Sequence, residues 1–315
     1  MNDQFKKDVE LGLSQVPKSI PSKYFYDKTG DALFVEIMNM PEYYPTRAEF
    51  EIFQKQHRAI IQAMEVNTNT MFDLIELGAG DGTKTKELLR ALLYGSYDFN
   101  YVPIDISQSA LDSLGADLKN EFPSLKVRKQ QGDYFGVLKT LKENNHPKVI
   151  LFLGSNIGNL SDEQSASFIY QIGAHLKTGD KLILGVDLIK SEALVKPAYN
   201  DPHGITKAFN LNLLSRINNE LGGDFDLSTF HHAPEYTIEE GIAKSYLVSL
   251  IDQEIPINEI GKTFSFEKGE KLQTEISRKY NDEILDKILD KTDFEIRAKL
   301  TDSQNYFADY ILHRF

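Results

Sequence analysis

From about residue 71 onward, short apolar runs alternate with longer segments of helical spacing. The runs are 72–77, 101–106, 149–153 and 181–186, each bounded by glycine, proline or polar residues. Between them, 83–93, 109–122 and 162–176 carry apolar residues three and four apart. Short strands alternating with helices predict βαβ units, hence a doubly wound α/β domain with a parallel sheet covered on both faces. The pattern then changes. Residues 281–289 read as a helix, and 294–300 and 306–312 as two strands joined by the turn-like 301–305, an antiparallel hairpin at the sheet edge. Two stretches stand outside the alternation. In the second of them, 205–221 reads as a helix stopped by Gly222-Gly223, followed by strand-like 243–251 and 263–266. The expected organisation is one domain from 56–189 and 278–315, and an α+β auxiliary domain from 1–55 and 190–277.

Composition narrows the function. Of 315 residues, 41% are apolar and 26% charged, as in a folded globular protein. The 35 basic and 47 acidic side chains give −12, which disfavours nucleic acid as a partner and favours a small molecule. There are no cysteines, which excludes disulfides and thiolate chemistry. No run approaches the roughly 20 apolar residues of a membrane span, and residues 1–7 lack a signal-peptide core. A cytoplasmic, monomeric enzyme is expected, with no metal, because His231-His232 point apart on any regular element and read as a surface loop.

The most informative run is Glu76-Leu77-Gly78-Ala79-Gly80-Asp81-Gly82-Thr83-Lys84. An apolar strand enters alternating glycines and then a helix whose free N–H groups face the turn. The spacing is not that of a pyrophosphate-binding loop, and Glu76 before the glycines suits a ligand carrying an ammonium group. A tight turn without a ligand is the plain alternative. Asp105 stands where the second strand ends and can take ribose hydroxyls. Asp133, beside Tyr134, can take an adenine amino group or simply cap a helix. Three acids in register along one sheet edge resemble the class I S-adenosylmethionine methyltransferases.

Signatures along nearly the whole chain make the resemblance narrower. They are Tyr24-Phe25-Tyr26-Asp27, Met40-Pro41-Glu42-Tyr43-Tyr44-Pro45-Thr46-Arg47-Ala48-Glu49, Phe152-Leu153-Gly154-Ser155-Asn156-Ile157-Gly158-Asn159-Leu160, Gly185-Val186-Asp187-Leu188, Phe209-Asn210-Leu211-Asn212 and Thr274-Glu275-Ile276-Ser277. In order and spacing the chain resembles the histidine-specific methyltransferase family, which includes enzymes that methylate the α-amino group of L-histidine in ergothioneine biosynthesis. The resemblance implies S-adenosylmethionine as cofactor, with Gly78, Lys84, Asp105, Asp133, Tyr134 and Gly154 around it, joined by Glu76 and Gly80 from the loop reading. It puts Tyr43, Asn159, Tyr199, Glu275 and Ser277 around the amino acid and Tyr26 close to them. It also implies repeated transfer to a trimethylated betaine. One departure stands out: Ser245, on the first auxiliary strand, replaces the family's usual methionine and removes an apolar wall.

The chemistry is consistent with these residue types. Methyl transfer from a sulfonium to an amine is an in-line displacement, governed by positioning. The amine must be neutral, and a free α-amino group titrates at about 8. Asn159 can accept from it, unless it merely caps the next helix, and Tyr26 can orient it or relay a proton. Glu275 and Ser277 alternate on a strand, so both face one side and can address the two nitrogens of an imidazole, or form an ordinary solvated face. Tyr26 and Tyr43 suit a cationic product, whereas Tyr44 reads as core. Another amine as acceptor, or a non-catalytic cofactor-binding module, are the alternatives.

Overall fold

Phe72–Leu77 is buried along its whole length, as a central strand covered on both faces must be. It lies within an eight-stranded sheet of the computed structural model, which describes residues 2–141 and 144–315. Phe72–Leu77 pairs in parallel with Phe99–Asp105 on one side and Lys148–Phe152 on the other. Lys126–Val127 and Gln130–Gln131 extend the first side, and Lys181–Asp187 the second. Successive strands thus leave the centre in opposite directions, which opens a crevice beyond their C-terminal ends. Phe307–Arg314 then pairs antiparallel with Lys181–Asp187, and Phe294–Thr301 forms the edge beside it. The expected class I S-adenosylmethionine methyltransferase sheet with its C-terminal hairpin is therefore present. Leu74, Tyr101, Val149 and Ile183 pack one face, and Ile75, Val102, Ile150 and Leu184 the other.

The chain forms two compact units, Met1–Tyr44 with Ile189–Lys279, and Pro45–Leu188 with Tyr280–Phe315. The boundary expected after residue 55 falls inside the helix Tyr44–Met64. That helix is interrupted at Gln56, whose φ of −121° and ψ of 18° are non-helical, and this local break is the feature nearest the expected boundary.

The first unit contains a four-stranded sheet, ordered Lys18–Ser19, Lys271–Arg278, Ile242–Ser249, Phe230–Glu235. The predicted helix Ile205–Leu221 is present and ends on Gly222 in the left-handed region. His231 and His232 are on a strand, not in a surface loop: His232 is buried, and its Nε2 donates to the Tyr199 carbonyl at 2.9 Å. The strand carrying Ser245 is not the first of the auxiliary sheet, because Lys18–Ser19 and Phe230–Glu235 precede it. Among the described residues, no helix is long and apolar enough to cross a membrane.

Candidate active site

In the second unit, strand ends and the glycine loop gather the expected cofactor residues. Gly78, Gly80 and Gly82 all have positive φ, as the turn into the helix Thr83–Tyr94 requires. A Cβ at Gly78 would lie 2.8 Å from Tyr134 Oη, so only glycine lets the loop approach this phenol. A Cβ at Gly80 would meet nothing within 4 Å. Asp105 is partly buried, and its Oδ1 accepts the Ser107 N–H at 2.9 Å. Asp133 is exposed, and its Oδ1 accepts from Gly136 N at 2.8 Å. It therefore caps the helix Tyr134–Leu141. Burial and the Asp105 charge push the Tyr134 phenol up to about 12.

Glu76 is buried beneath the loop. Thr85 Oγ1 donates to its Oε1 at 2.7 Å, and Tyr101 Oη donates to Oε2. Burial pushes its carboxyl up to about 7, against the Tyr101 and Thr85 bonds and the Lys84 charge. Glu49 joins two other residues of this group. It pairs with Lys84 and accepts the Gly154 N–H at 2.9 and 3.0 Å. The missing side chain of Gly185 makes the room, since a Cβ there would stand 2.2 Å from Glu49 Oε1 and 3.1 Å from Asp309 Oδ1. Asp309 is fully buried, and burial with the Glu49 charge pushes its carboxyl well above the usual range.

Asn159 ends the short 3-10 helix Asn156–Asn159. The following helix, Asp162–Ala174, is capped by Ser161 with Gln164 in a capping box. The helix-cap reading of Asn159 is therefore overturned.

In the first unit, the face of the strand Lys271–Arg278 is chemically crowded. Glu275 registers opposite Ser245, whose Oγ donates to Glu275 Oε2 at 3.1 Å. Burial raises the Glu275 carboxyl, opposed by this bond and by the Lys279 charge. Lys279 Nζ donates to Ser277 Oγ at 2.9 Å and to Tyr199 Oη at 2.6 Å. Tyr26 and Tyr43 each meet Phe34 edge-on, at 5.5 and 6.3 Å between centroids. Tyr44 is buried with Lys190 Nζ over its ring, in keeping with its core reading.

The chain matches the model of the histidine-specific, S-adenosylmethionine-dependent methyltransferases over residues 5–314. It belongs to this family. As a family member it is similar to the histidine N-alpha-methyltransferase of Mycobacterium tuberculosis, 36% identical over 87% of this chain and 84% of the relative. The Mycolicibacterium smegmatis enzyme of the same name is 35% identical, with 89% and 86% covered. Ergothioneine biosynthesis protein 1 of Schizosaccharomyces pombe is 28% identical over 93% of this chain, which spans 38% of that longer protein.

The chain is thus an S-adenosylmethionine-dependent methyltransferase, and the second unit suits that cofactor. The close approach of the loop to the Tyr134 phenol at Gly78, and a buried acid whose carboxyl is pushed up to about 7, fit a ligand with a planar base and an ammonium group. Three residues of these clusters escape the motif reading, Glu49, Asp309 and Lys279. Glu49 is visible only inside a signature, with no chemistry attached. Lys279 is within reach, because extending the alternation from Glu275 and Ser277 by one step lands on it.

Proposed function

We propose that this methyltransferase acts on the α-amino group of L-histidine and carries it to the trimethylated betaine, hercynine, with a place in ergothioneine synthesis. The supporting observation is the Glu275–Ser277 face, an acid and a hydroxyl side by side, with Ser245 donating to the acid at 3.1 Å. When bound, S-adenosylmethionine supplies a methyl group on a sulfonium, an electrophile whose thioether leaves without a proton. The departing group needs no acid from the protein, so the chain's own work is recognition and alignment. Glu275 accepts the imidazole N–H and Ser277 answers the other ring nitrogen, so a purely apolar side chain would leave both unpaired. Asn159 accepts from the amine and aims its lone pair, and Tyr26 orients it or relays the proton. Tyr43 and Tyr199 hold the remaining polar groups of the amino acid. On the cofactor side, Asp105 and Asp133 bind ribose and adenine, Gly78, Gly80 and Tyr134 shape the loop, and Lys84 and Gly154 complete it.

Mass spectrometry of the pure protein with S-adenosylmethionine and an equimolar mixture of amino acids tests the acceptor. Histidine alone is expected to gain up to three methyl groups. Methylation of another amine instead would discard the Glu275–Ser277 assignment.

The Glu76 role gives a separate expectation. Its folded carboxyl sits at about 7, above an ordinary value near 4.5, so it takes up its charge as pH rises toward neutrality. A ligand ammonium beside it favours the charged form. Cofactor affinity is therefore expected to rise several-fold from about pH 5.5 to 7.5, and to lose this dependence in Glu76→Gln. Calorimetric titrations across that range check it, and a flat profile in the parent protein would remove Glu76 from ligand binding.

A further inference from the structure

We propose that a one-residue bulge at Thr274, gripped from behind by Asn210, turns Glu275 and Ser277 toward the amino-acid acceptor, so that Thr274 and Asn210 are positioning residues for acceptor specificity. The inference rests on the histidine reading above. Along the strand Lys271–Arg278 the register against Ile242–Ser249 runs evenly as far as Gln273, which faces Tyr246. Glu275 then faces Ser245, the next residue of the partner strand, and Thr274 is passed over. Thr274 is the extra residue of a β-bulge.

The bulge decides which side chains point inward. Residues directly opposite one another on an antiparallel pair share a face. Leu272 faces Leu247, and both are buried in a core that includes Phe209 and Leu213 of the helix Ile205–Leu221. Ser245 and Ala243 follow Leu247 at the two-residue period and are buried too, so their partners Glu275 and Ser277 share this inner face. An unbulged strand would place 272, 274 and 276 there, burying Ile276 and leaving Glu275 and Ser277 on the side of Gln273. The observed register does the reverse: an acid and a hydroxyl turn inward, while Ile276 is half-buried opposite Lys244. Hydrophobic burial alone favours the unbulged pairing, so the bulge needs an anchor.

Asn210 supplies it. Its Nδ2 donates to the Thr206 carbonyl at 3.0 Å, one helical turn back, which leaves Oδ1 turned toward the sheet. The Thr274 hydroxyl, fully buried, lies 2.6 Å from this oxygen and 3.1 Å from the Ser245 carbonyl. Asn210 is itself 2% exposed. Drawn toward the helix, Thr274 yields its place in the ladder to Glu275, and its hydroxyl ties the bulge to the main chain of the residue that Glu275 faces.

Thr274→Val keeps the β-branched shape and removes the hydroxyl. Histidine KM is expected to rise about tenfold, with kcat within about threefold and S-adenosylmethionine affinity within about twofold of the parent. A merely structural defect would instead lower the active fraction, and so kcat, at constant KM. Thr274→Ser, which restores the hydroxyl, should recover most of the loss. The Thr274→Val/Asn210→Ala pair should lose little more than the worse single variant, because both changes break one linkage. If Thr274→Val fails to fold, Asn210→Ala, which leaves the strand sequence intact, carries the same expectation for KM. Unchanged histidine KM in the folded variant, no recovery in Thr274→Ser, or fully additive losses in the pair would each overturn the proposal. The parent protein is assayed first: absence of histidine methylation there defeats the functional reading and this inference with it, whereas an active parent with an indifferent Thr274→Val defeats the inference alone.

Discussion

Glu275→Ala is expected to lower kcat/KM for L-histidine by about a hundredfold or more while leaving S-adenosylmethionine affinity within about twofold of the parent. The expectation follows from where the carboxylate sits. Glu275 registers opposite Ser245 and shares its strand face with Ser277, with Lys279 just past the strand's end, all inside the first compact unit. The glycine loop, Asp105 and Asp133, proposed to hold the cofactor, belong to the second unit. Removing the carboxylate takes away the acceptor proposed for the imidazole N–H, the acceptor of the Ser245 hydroxyl and the acid whose carboxyl the Lys279 charge acts on. Glu275→Gln keeps an acceptor but loses the charge, and should fall between parent and alanine variant. Steady-state kinetics with calorimetry separate the two effects. Parental histidine turnover in Glu275→Ala would take this residue out of acceptor recognition.

Glu49→Ala is expected to cost about 3 kcal/mol of folding stability, read from urea unfolding, together with about tenfold in cofactor affinity. Deleting one partner of a buried ion pair is expensive because the other charge is left behind. Here the stranded group is Lys84, whose side chain keeps 23% of its exposure, and Asp309 already feels its charge. Both features place the loss toward the lower end of the usual range. The Gly154 N–H loses its acceptor at the same time. Glu49→Gln retains that acceptor and should lose less. A Glu49→Ala protein as stable as the parent would show that Glu49 is not what holds Lys84 and Gly154 in place.

The sheet and the glycine loop are legible in the sequence because their signals are local. An apolar run such as Phe72–Leu77 entering alternating glycines, or a periodic helix stopped by Gly222, declares itself within a few residues. Strand ends are less sharp: the strand read from residue 101 begins at Phe99, because Asn100 is polar yet buried, its amide bonded to Asp73 at 2.7 Å. The strand Phe230–Glu235 escapes the pattern for a similar reason. Its inward positions include His232, which hides the alternation from any hydrophobic scale. Glu49 and Lys279 mark a harder limit. A charged residue at the sequence level predicts a solvated surface, and the fold supplies partners that offset its burial, Lys84 and Gly154 among them for one, Ser277 and Tyr199 among them for the other.

The order of strands constrains how the molecule can be made. Lys18–Ser19 lies beside Lys271–Arg278, and Phe307–Arg314 fills the slot between Lys181–Asp187 and Phe294–Thr301. On the ribosome, neither sheet can close until pairing partners synthesised far apart have emerged. The strand face at Glu275 waits until Lys271–Arg278 has been made, and the central sheet waits for Phe307–Arg314. Such non-local pairing predicts slow, largely post-synthetic folding with strand edges exposed meanwhile, so yield in a cell should respond to chaperone supply more than to any single surface contact.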